Sequence, residues 1–377
     1  MSSDLEKYNL FVSRGKAALR SLLVGDALAM PVHWFYDPAK IETAFPGGVQ
    51  KFEDAPQYHP SSIMSLHSTS RGGRGLQGGS APGKQIVGDV ILKGKRKYWG
   101  QPNMHYHQGM KAGENTLNAH CARVLMRSMA AANGYYDKNR FLDDYISFMT
   151  AEPPLHPDTY AESYHRAFFA NLAAGLPKET CAAKTHDTPS VGGLVGIAPL
   201  AITELLRQRD LEKVKALTRE HLYLFHPDEN LAKICAAYVE LLDALLFRAT
   251  DEDPRQYFAA ALEKTMGLDL TGLARRARND SDIVGGRFSI ACYITDSWPS
   301  LMYLAYRYAE QPEKGLLANT NLGGDNVHRG SVLGVLLGLV NAETVDSLYC
   351  RLLNYEEIEA EINALLPLAK MGSSNYP

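Results

Sequence analysis

Ten residues near the C-terminus, Asn321-Leu322-Gly323-Gly324-Asp325-Asn326-Val327-His328-Arg329-Gly330, place a carboxylate, a carboxamide and an imidazole directly behind a glycine pair. Paired glycines let the backbone turn at positive φ and approach a ligand or ion closely. Asp325 and Asn326 suit the cap of the next helix, since a short oxygen-bearing side chain accepts from free N–H groups at a helix start. A second polar cluster, His105 to Thr116, also enters a helix at a glycine turn and offers Glu114 and Asn115. His33, His107, His120 and His328 add imidazoles that act as acid or base near neutral pH if the chain gathers them. Asp26, beside Gly25 among small residues, reads as a buried carboxylate that must be hydrogen-bonded or near a cation.

These groups need helices to hold them. The helix expected from about His328 to Asn341 carries Gly330, Gly334 and Gly338 at four-residue spacing, so one face is nearly bare. Glycine costs roughly 1 kcal/mol against alanine in a helix interior, and close packing against another helix must offset three such losses. Apolar spacing predicts further helices over Leu10–Met30, Thr116–Ala132, Lys138–Met149, Pro157–Ala174, Gly192–Gln208, Leu211–Arg219, Asn230–Ala249, Pro254–Thr265, Ser297–Tyr308 and Glu356–Ala364. From Asp37 to about Gly109 the periodicity disappears and prolines recur. The Arg71–Gly79 stretch there lacks the strand–turn–helix order of a nucleotide fingerprint and reads as a flexible excursion. Val87–Trp99 suggests a short hairpin around Lys93-Gly94-Lys95. The expectation is an all-α chain of about 12–16 helices forming one domain over 1–377, without repeats.

The chain has 377 residues, 45% hydrophobic and 21% charged, with a net charge of −3. No long basic run is present, which argues against a nucleic-acid or membrane surface as partner. No stretch of about 18 apolar residues could span a bilayer, and the N-terminus lacks the apolar core of a secretory signal. The five cysteines are scattered without metal-type spacing. A reduced, cytoplasmic setting is expected.

With its glycine-turn clusters located, the chain resembles the ADP-ribosylglycohydrolase superfamily. Gly25-Asp26-Ala27-Leu28-Ala29-Met30-Pro31-Val32 is similar to that family's N-terminal GDALG segment. Ser190-Val191-Gly192-Gly193-Leu194-Val195-Gly196-Ile197-Ala198-Pro199-Leu200 is similar to its phosphate-loop helix. Tyr293–Ala305 followed by Asn321–Asp325 resembles its C-terminal helix and NLGGD loop, and Phe225-His226-Pro227-Asp228 its THP-type turn. The resemblance implies an orthogonal bundle of α-helices, interrupted here by a long irregular insertion near residues 40–105. It also implies two Mg²⁺ ions in a cleft, which help position ADP-ribose and a water that cleaves an N- or O-glycosidic bond at ribose C1″.

The resemblance departs at the metal positions. The family's TDDT cluster falls on Gly113, Glu114, Asn115 and Thr116, and its D-T-D-T loop on Asp325, Asn326, Val327 and His328. Four carboxylates thus become two, Glu114 and Asp325, and the family's acidic residue after GDALG becomes His33. One ion at most is expected, Mg²⁺ by resemblance or a softer Mn²⁺ or Zn²⁺ using His328, on Glu114, Asn115, Asp325 and His328. The catalytic candidates are Glu114, Asp325, His33 and His328. For substrate, the resemblance implies Ser190, Gly192 and Gly193 donating N–H groups to a diphosphate, with His226 and Asn326 as further contacts. Trp34 and Tyr106 suit stacking, whereas Tyr293 is expected in the core. Three functions stay open: a hydrolase of ADP-ribosyl or related ribosyl substrates, a silent ADP-ribose-binding protein, or a hydrolase of another small glycoside or nucleoside, since Val191 replaces the loop's asparagine. No organic cofactor is called for, and the oligomeric state stays open.

Overall fold

Helix α13 (Asn326–Val340) is buried from Asn326 to Leu339 and forms the axis of the molecule. Against it lies α1 (Ser2–Ala29), whose backbone comes so close that side chains are excluded at the crossing. A Cβ on Gly334 would stand 2.1 Å from Ser21 O, and one on Gly338 2.5 Å from Ala17 O. On the other side of the crossing, a Cβ on Gly25 would stand 2.2 Å from Gly330 O. The bare face expected from the glycine spacing is therefore the seam between these two helices.

The structure is a computed structural model and describes residues 2–71, 84–208, 210–341 and 345–367. Between the two axial helices come α2 (Pro38–Ala44), α3 (Leu117–Ala131), α4 (Lys138–Thr150), α5 (Ser163–Ala173) and α6 (Ile197–Gln208). Next are α7 (Leu211–Tyr223), α8 (Glu229–Leu246), α9 (Arg255–Met266), α10 (Leu270–Arg276), α11 (Ile294–Arg307) and α12 (Pro312–Asn321). Helices α14 (Asp346–Tyr349) and α15 (Tyr355–Leu365) close the described chain. Among the described residues every regular element is helical, and extended pairing is limited to isolated bridges such as Ser190–Tyr293. The all-α expectation holds. No helix among the described residues is long and apolar enough to cross a membrane.

Several boundaries differ from the sequence reading for local reasons. The stretch expected to begin a helix at Pro157 stays extended until Ser163, because Asp158 folds its carboxylate onto its own Thr159 and Tyr160 N–H groups. The hairpin expected over Val87–Trp99 is not formed. Gly88, at φ +103°, turns Ile86–Val90 into a π-helical turn, and Gly88 N–H bonds back to Ile91 O at 2.7 Å. The Arg71–Gly79 stretch lies outside the described residues after Arg71.

The irregular insertion packs onto the end of α1. His59 Nε2 contacts His33 O at 2.7 Å, and His105 Nε2 contacts Pro31 O at 3.0 Å. Trp99 Nε1 donates to Thr159 O at 2.9 Å, which ties the insertion to the extended segment before α5. Imidazole and indole nitrogens thus satisfy carbonyls that no helix ladder reaches.

Candidate active site

The end of α1 and the start of α13 meet through a backbone clip. Trp34, at φ +60°, donates its N–H to Gly324 O at 2.8 Å, and Gly324 N–H returns to Phe35 O at 2.7 Å. Gly323 and Gly324 both hold positive φ, and a Cβ at Gly324 would stand 2.0 Å from Ile290 O. Only glycine satisfies both demands. Asp325 N–H then bonds to Ile290 O at 2.9 Å, fixing the first residue of the turn that faces the cleft.

Asp325 does not cap α13 as expected, since its side chain makes no cap hydrogen bond. Two imidazoles take the carboxylate instead. His33 Nε2 lies 3.0 Å from Asp325 Oδ1, and His328 Nδ1 lies 2.8 Å from the same oxygen, though without the alignment of a hydrogen bond. His328 Nε2 lies 3.3 Å from Glu162 Oε1 and 2.5 Å from Asn118 Nδ2, so its ring stands between two carboxyl groups and meets an amide. Burial opposes charge on His328, but Asp325 and Glu162 outweigh it and hold the imidazole well above its usual pKa. Burial likewise opposes charge on Asp325, yet His328 and His33 keep its carboxyl below the ordinary range. His33 is driven down to about 3 by burial, against the pull of Asp325.

Behind His33 the contacts continue inward. His33 Nδ1 meets His107 Nε2, and His107 Nδ1 meets Asp158 Oδ1 at 2.8 Å. Asp158 Oδ2 accepts from Leu117 N–H, the first donor of α3. Burial opposes charge on Asp158, but His107 leads the groups that keep its carboxyl ionised.

The pocket above Asp325 has a volume of about 250 Å³. Its floor holds Asp325, His328 and Glu162, and its aromatic wall includes Trp34, Tyr106, Tyr160 and Tyr164. Ser61, Ile63 and His67 of the insertion join the lining. Asp325 Oδ2 and Glu162 Oε2 are buried without a hydrogen-bond partner. A buried oxygen left without a hydrogen bond is costly, so these two atoms mark where a cation, water or substrate hydroxyl belongs.

The family model for ADP-ribosylglycohydrolase matches residues 7–374. The chain belongs to the ADP-ribosylglycohydrolase family. A solved structure titled "ADP-ribosylglycohydrolase-related protein complex" is similar with a TM-score of 0.54 and 19% identity, covering 96% of this chain and 99% of that one. At that identity the likeness concerns the fold. No curated protein matches the sequence.

Against the positions carried over from the ADP-ribosylglycohydrolase family, the geometry gathers some residues and leaves others apart. His33, Asp325 and His328 come together, with ligand atoms all within 4.8 Å of one another. Glu114 does not join them. Its carboxylate accepts the Lys111 N–H at 2.7 Å, and it is not in the lining of the pocket. Asn115 turns to Asp26, donating at 2.9 Å, and Thr116 donates its N–H and hydroxyl to the same carboxylate. The cluster thus secures the buried Asp26, as that residue's position required. Asn326 is buried and donates to Thr320 O, away from the pocket lining.

On the substrate side, Ser190 reaches the pocket, whereas Gly192, Gly193 and His226 line a smaller cavity of about 40 Å³. His226 packs on Tyr164 with ring centroids 4.1 Å apart. His120 lies apart, beside Phe148 and His156. Tyr293, expected in the core, is 42% exposed at the pocket mouth, because the Ser190–Tyr293 bridge holds its backbone there. Sequence reasoning missed Glu162 and Asp158. The signal for Asp158 was the His156-Pro157-Asp158 start, where proline and aspartate disfavour helix continuation.

Two imidazoles and one carboxylate suit a borderline ion such as Zn²⁺ or Mn²⁺ better than Mg²⁺, which prefers an all-oxygen shell. The bare Asp325 Oδ2 and His328 Nδ1 offer lone pairs for one such ion once His328 loses its proton.

Proposed function

We propose that this pocket hydrolyses an N- or O-glycosidic bond of an ADP-ribosyl or related ribosyl compound, in the cytoplasm. The supporting observation is the pair of bare buried oxygens, Asp325 Oδ2 and Glu162 Oε2, on either side of His328 in an aromatic-walled pocket. Glycosidic cleavage passes through an oxocarbenium-like transition state and needs one carboxylate to stabilise it and another to take a proton from water. Asp325, held rigidly by His33 and His328, takes the electrostatic role. Glu162 takes the water proton and hands it to the leaving nitrogen or oxygen. Glu162 thereby takes the role expected of Glu114.

A single divalent ion of borderline softness would be held by His33, Asp325 and His328. When bound it would supply positive charge beside the attacking oxygen. Equilibrium dialysis against Zn²⁺, Mn²⁺ and Mg²⁺ reads this directly, with one equivalent of Zn²⁺ or Mn²⁺ expected in the wild type and none in His328→Ala.

The hydrolytic reading is tested by release of free ribose or ADP-ribose from N- and O-ribosyl compounds. Asp325→Asn should lower kcat by roughly 100-fold or more, in the range for losing one preorganised charge at a transition state. A variant with intact circular dichroism and undiminished turnover removes Asp325 from the reaction.

A further inference from the structure

The pocket is acidic and aromatic. Glu162, Asp187 and Asp325 contribute carboxyl groups to its lining, and no lysine or arginine does among the described residues. Arg166 lies over the Tyr160 ring, 5.7 Å from its centroid, and is not part of the lining. His328 is clasped between two of the carboxyl groups, and His186 lies 3.0 Å from Asp187. Trp34, Tyr106 and Tyr160 meet edge to face with centroids 4.6 to 5.2 Å apart, forming one continuous aromatic wall.

Part of the glycine turn that would cradle a diphosphate is spent on the protein itself. Val191 N–H bonds to Cys292 O at 2.8 Å and Gly193 N–H to Ser190 O at 3.2 Å. A Cβ on Gly193 would meet Leu231 at 2.9 Å and His226 at 3.0 Å, so this glycine serves packing. An anion in the pocket would face carboxylates, while a cation would gain from both carboxylates and ring faces. The volume, about 250 Å³, is below the range of roughly 300–1,000 Å³ that encloses drug-sized ligands.

Building on the hydrolytic reading, we infer that the substrate is a ribosyl compound with a small cationic aglycone and no diphosphate. The carboxyl groups of Glu162, a residue 5% exposed, and Asp187, which the metal ion does not use, face the positive charge. The C1′–N bond breaks with its electron pair going to the cationic nitrogen, so the aglycone leaves neutral and needs no proton. Water oxygen bonds to C1′, and its proton passes to Glu162. Products are ribose and the neutral base.

Calorimetric titration of the full-length protein with nicotinamide riboside, inosine and ADP-ribose tests this, alongside assay of nicotinamide release. Nicotinamide riboside should bind about tenfold or more tighter than ADP-ribose, a difference of about 1.4 kcal/mol. Asp187→Asn should weaken nicotinamide riboside about tenfold and leave inosine within about twofold, because only the first carries charge. Tyr293→Ala, at the exposed mouth, should weaken the cation roughly two- to fivefold and serves if the Asp187 variant fails to fold. Binding of ADP-ribose as tight as or tighter than nicotinamide riboside overturns the inference and leaves the hydrolytic reading standing. Failure of both to bind overturns it as well. Tight nicotinamide riboside binding with no release of nicotinamide upholds the ligand preference and sinks the hydrolytic reading.

Discussion

His33 Nδ1 lies 2.7 Å from His107 Nε2, with the two rings nearly coplanar at 4°. Two imidazoles in line, each ending on a carboxylate, connect the cleft residue Asp325 to Asp158 at the root of α3. The arrangement fixes the orientation of the Asp325 carboxylate through groups contributed by α1, the insertion and the segment before α5. It resembles in principle the outer-shell contacts that orient a reacting or ligating side chain.

His107 is therefore a positioning residue. His107→Phe should lower kcat by about 10- to 100-fold, the size of effect seen on losing such an orienting partner, with KM little changed. His107→Gln, which keeps a hydrogen-bonding group, should recover part of the loss. Steady-state kinetics across pH distinguishes positioning from damage: the pH profile should shift in the Phe variant and return toward wild type in the Gln variant.

Acid should destabilise the protein well above the carboxylate range. Burial lowers His221 from 6.5 to about 4, and His59 and His156 are likewise pushed down to about 4, chiefly by burial. A depressed pKa means that the unfolded chain binds the proton more readily. The stability is full above the unfolded value and is lost as pH falls through the folded one. For His221 alone the loss is about 1.4 kcal/mol by about pH 5.5. Urea melts should show His221→Gln losing stability less steeply than wild type over that window. An equal slope contradicts the assignment.

The α1–α13 seam should tolerate no side chain. Gly334→Ala places a methyl 2.1 Å from Ser21 O, a backbone atom that cannot rotate away. Overpacking of this kind costs about 1–3 kcal/mol or more, outweighing the roughly 1 kcal/mol that alanine gains in helix propensity. Thermal unfolding is the check, and a Tm equal to or above wild type would mean that the helices part more easily than their contact implies.

What the sequence made legible was local. Three glycines at four-residue spacing announced a backbone-to-backbone seam, and the Gly323–Gly324 pair announced a turn with positive φ before Asp325. Asp26 had to be hydrogen-bonded, and Asn115 and Thr116 supply those bonds. The misreadings arose where tertiary partners compete with local rules. Asp325 has the right chemistry for an N-cap, but two imidazoles contributed by distant and neighbouring residues claim its oxygen. Glu114 sat at the family's carboxylate position, yet the Lys111 N–H within its own turn captured it. Glu162 precedes an ordinary amphipathic helix, and nothing in its own segment indicates that His328 will arrive beside it.

Glu162 in place of Glu114 decides whether the site works as described, and paired substitution measures it. Initial rates of glycosidic hydrolysis should fall by about 100-fold or more in Glu162→Gln, the scale of a lost general base. Glu114→Gln, which loses one turn hydrogen bond worth about 1 kcal/mol or less, should keep kcat within about twofold. Full activity in Glu162→Gln together with collapse in a folded Glu114→Gln would contradict the site described.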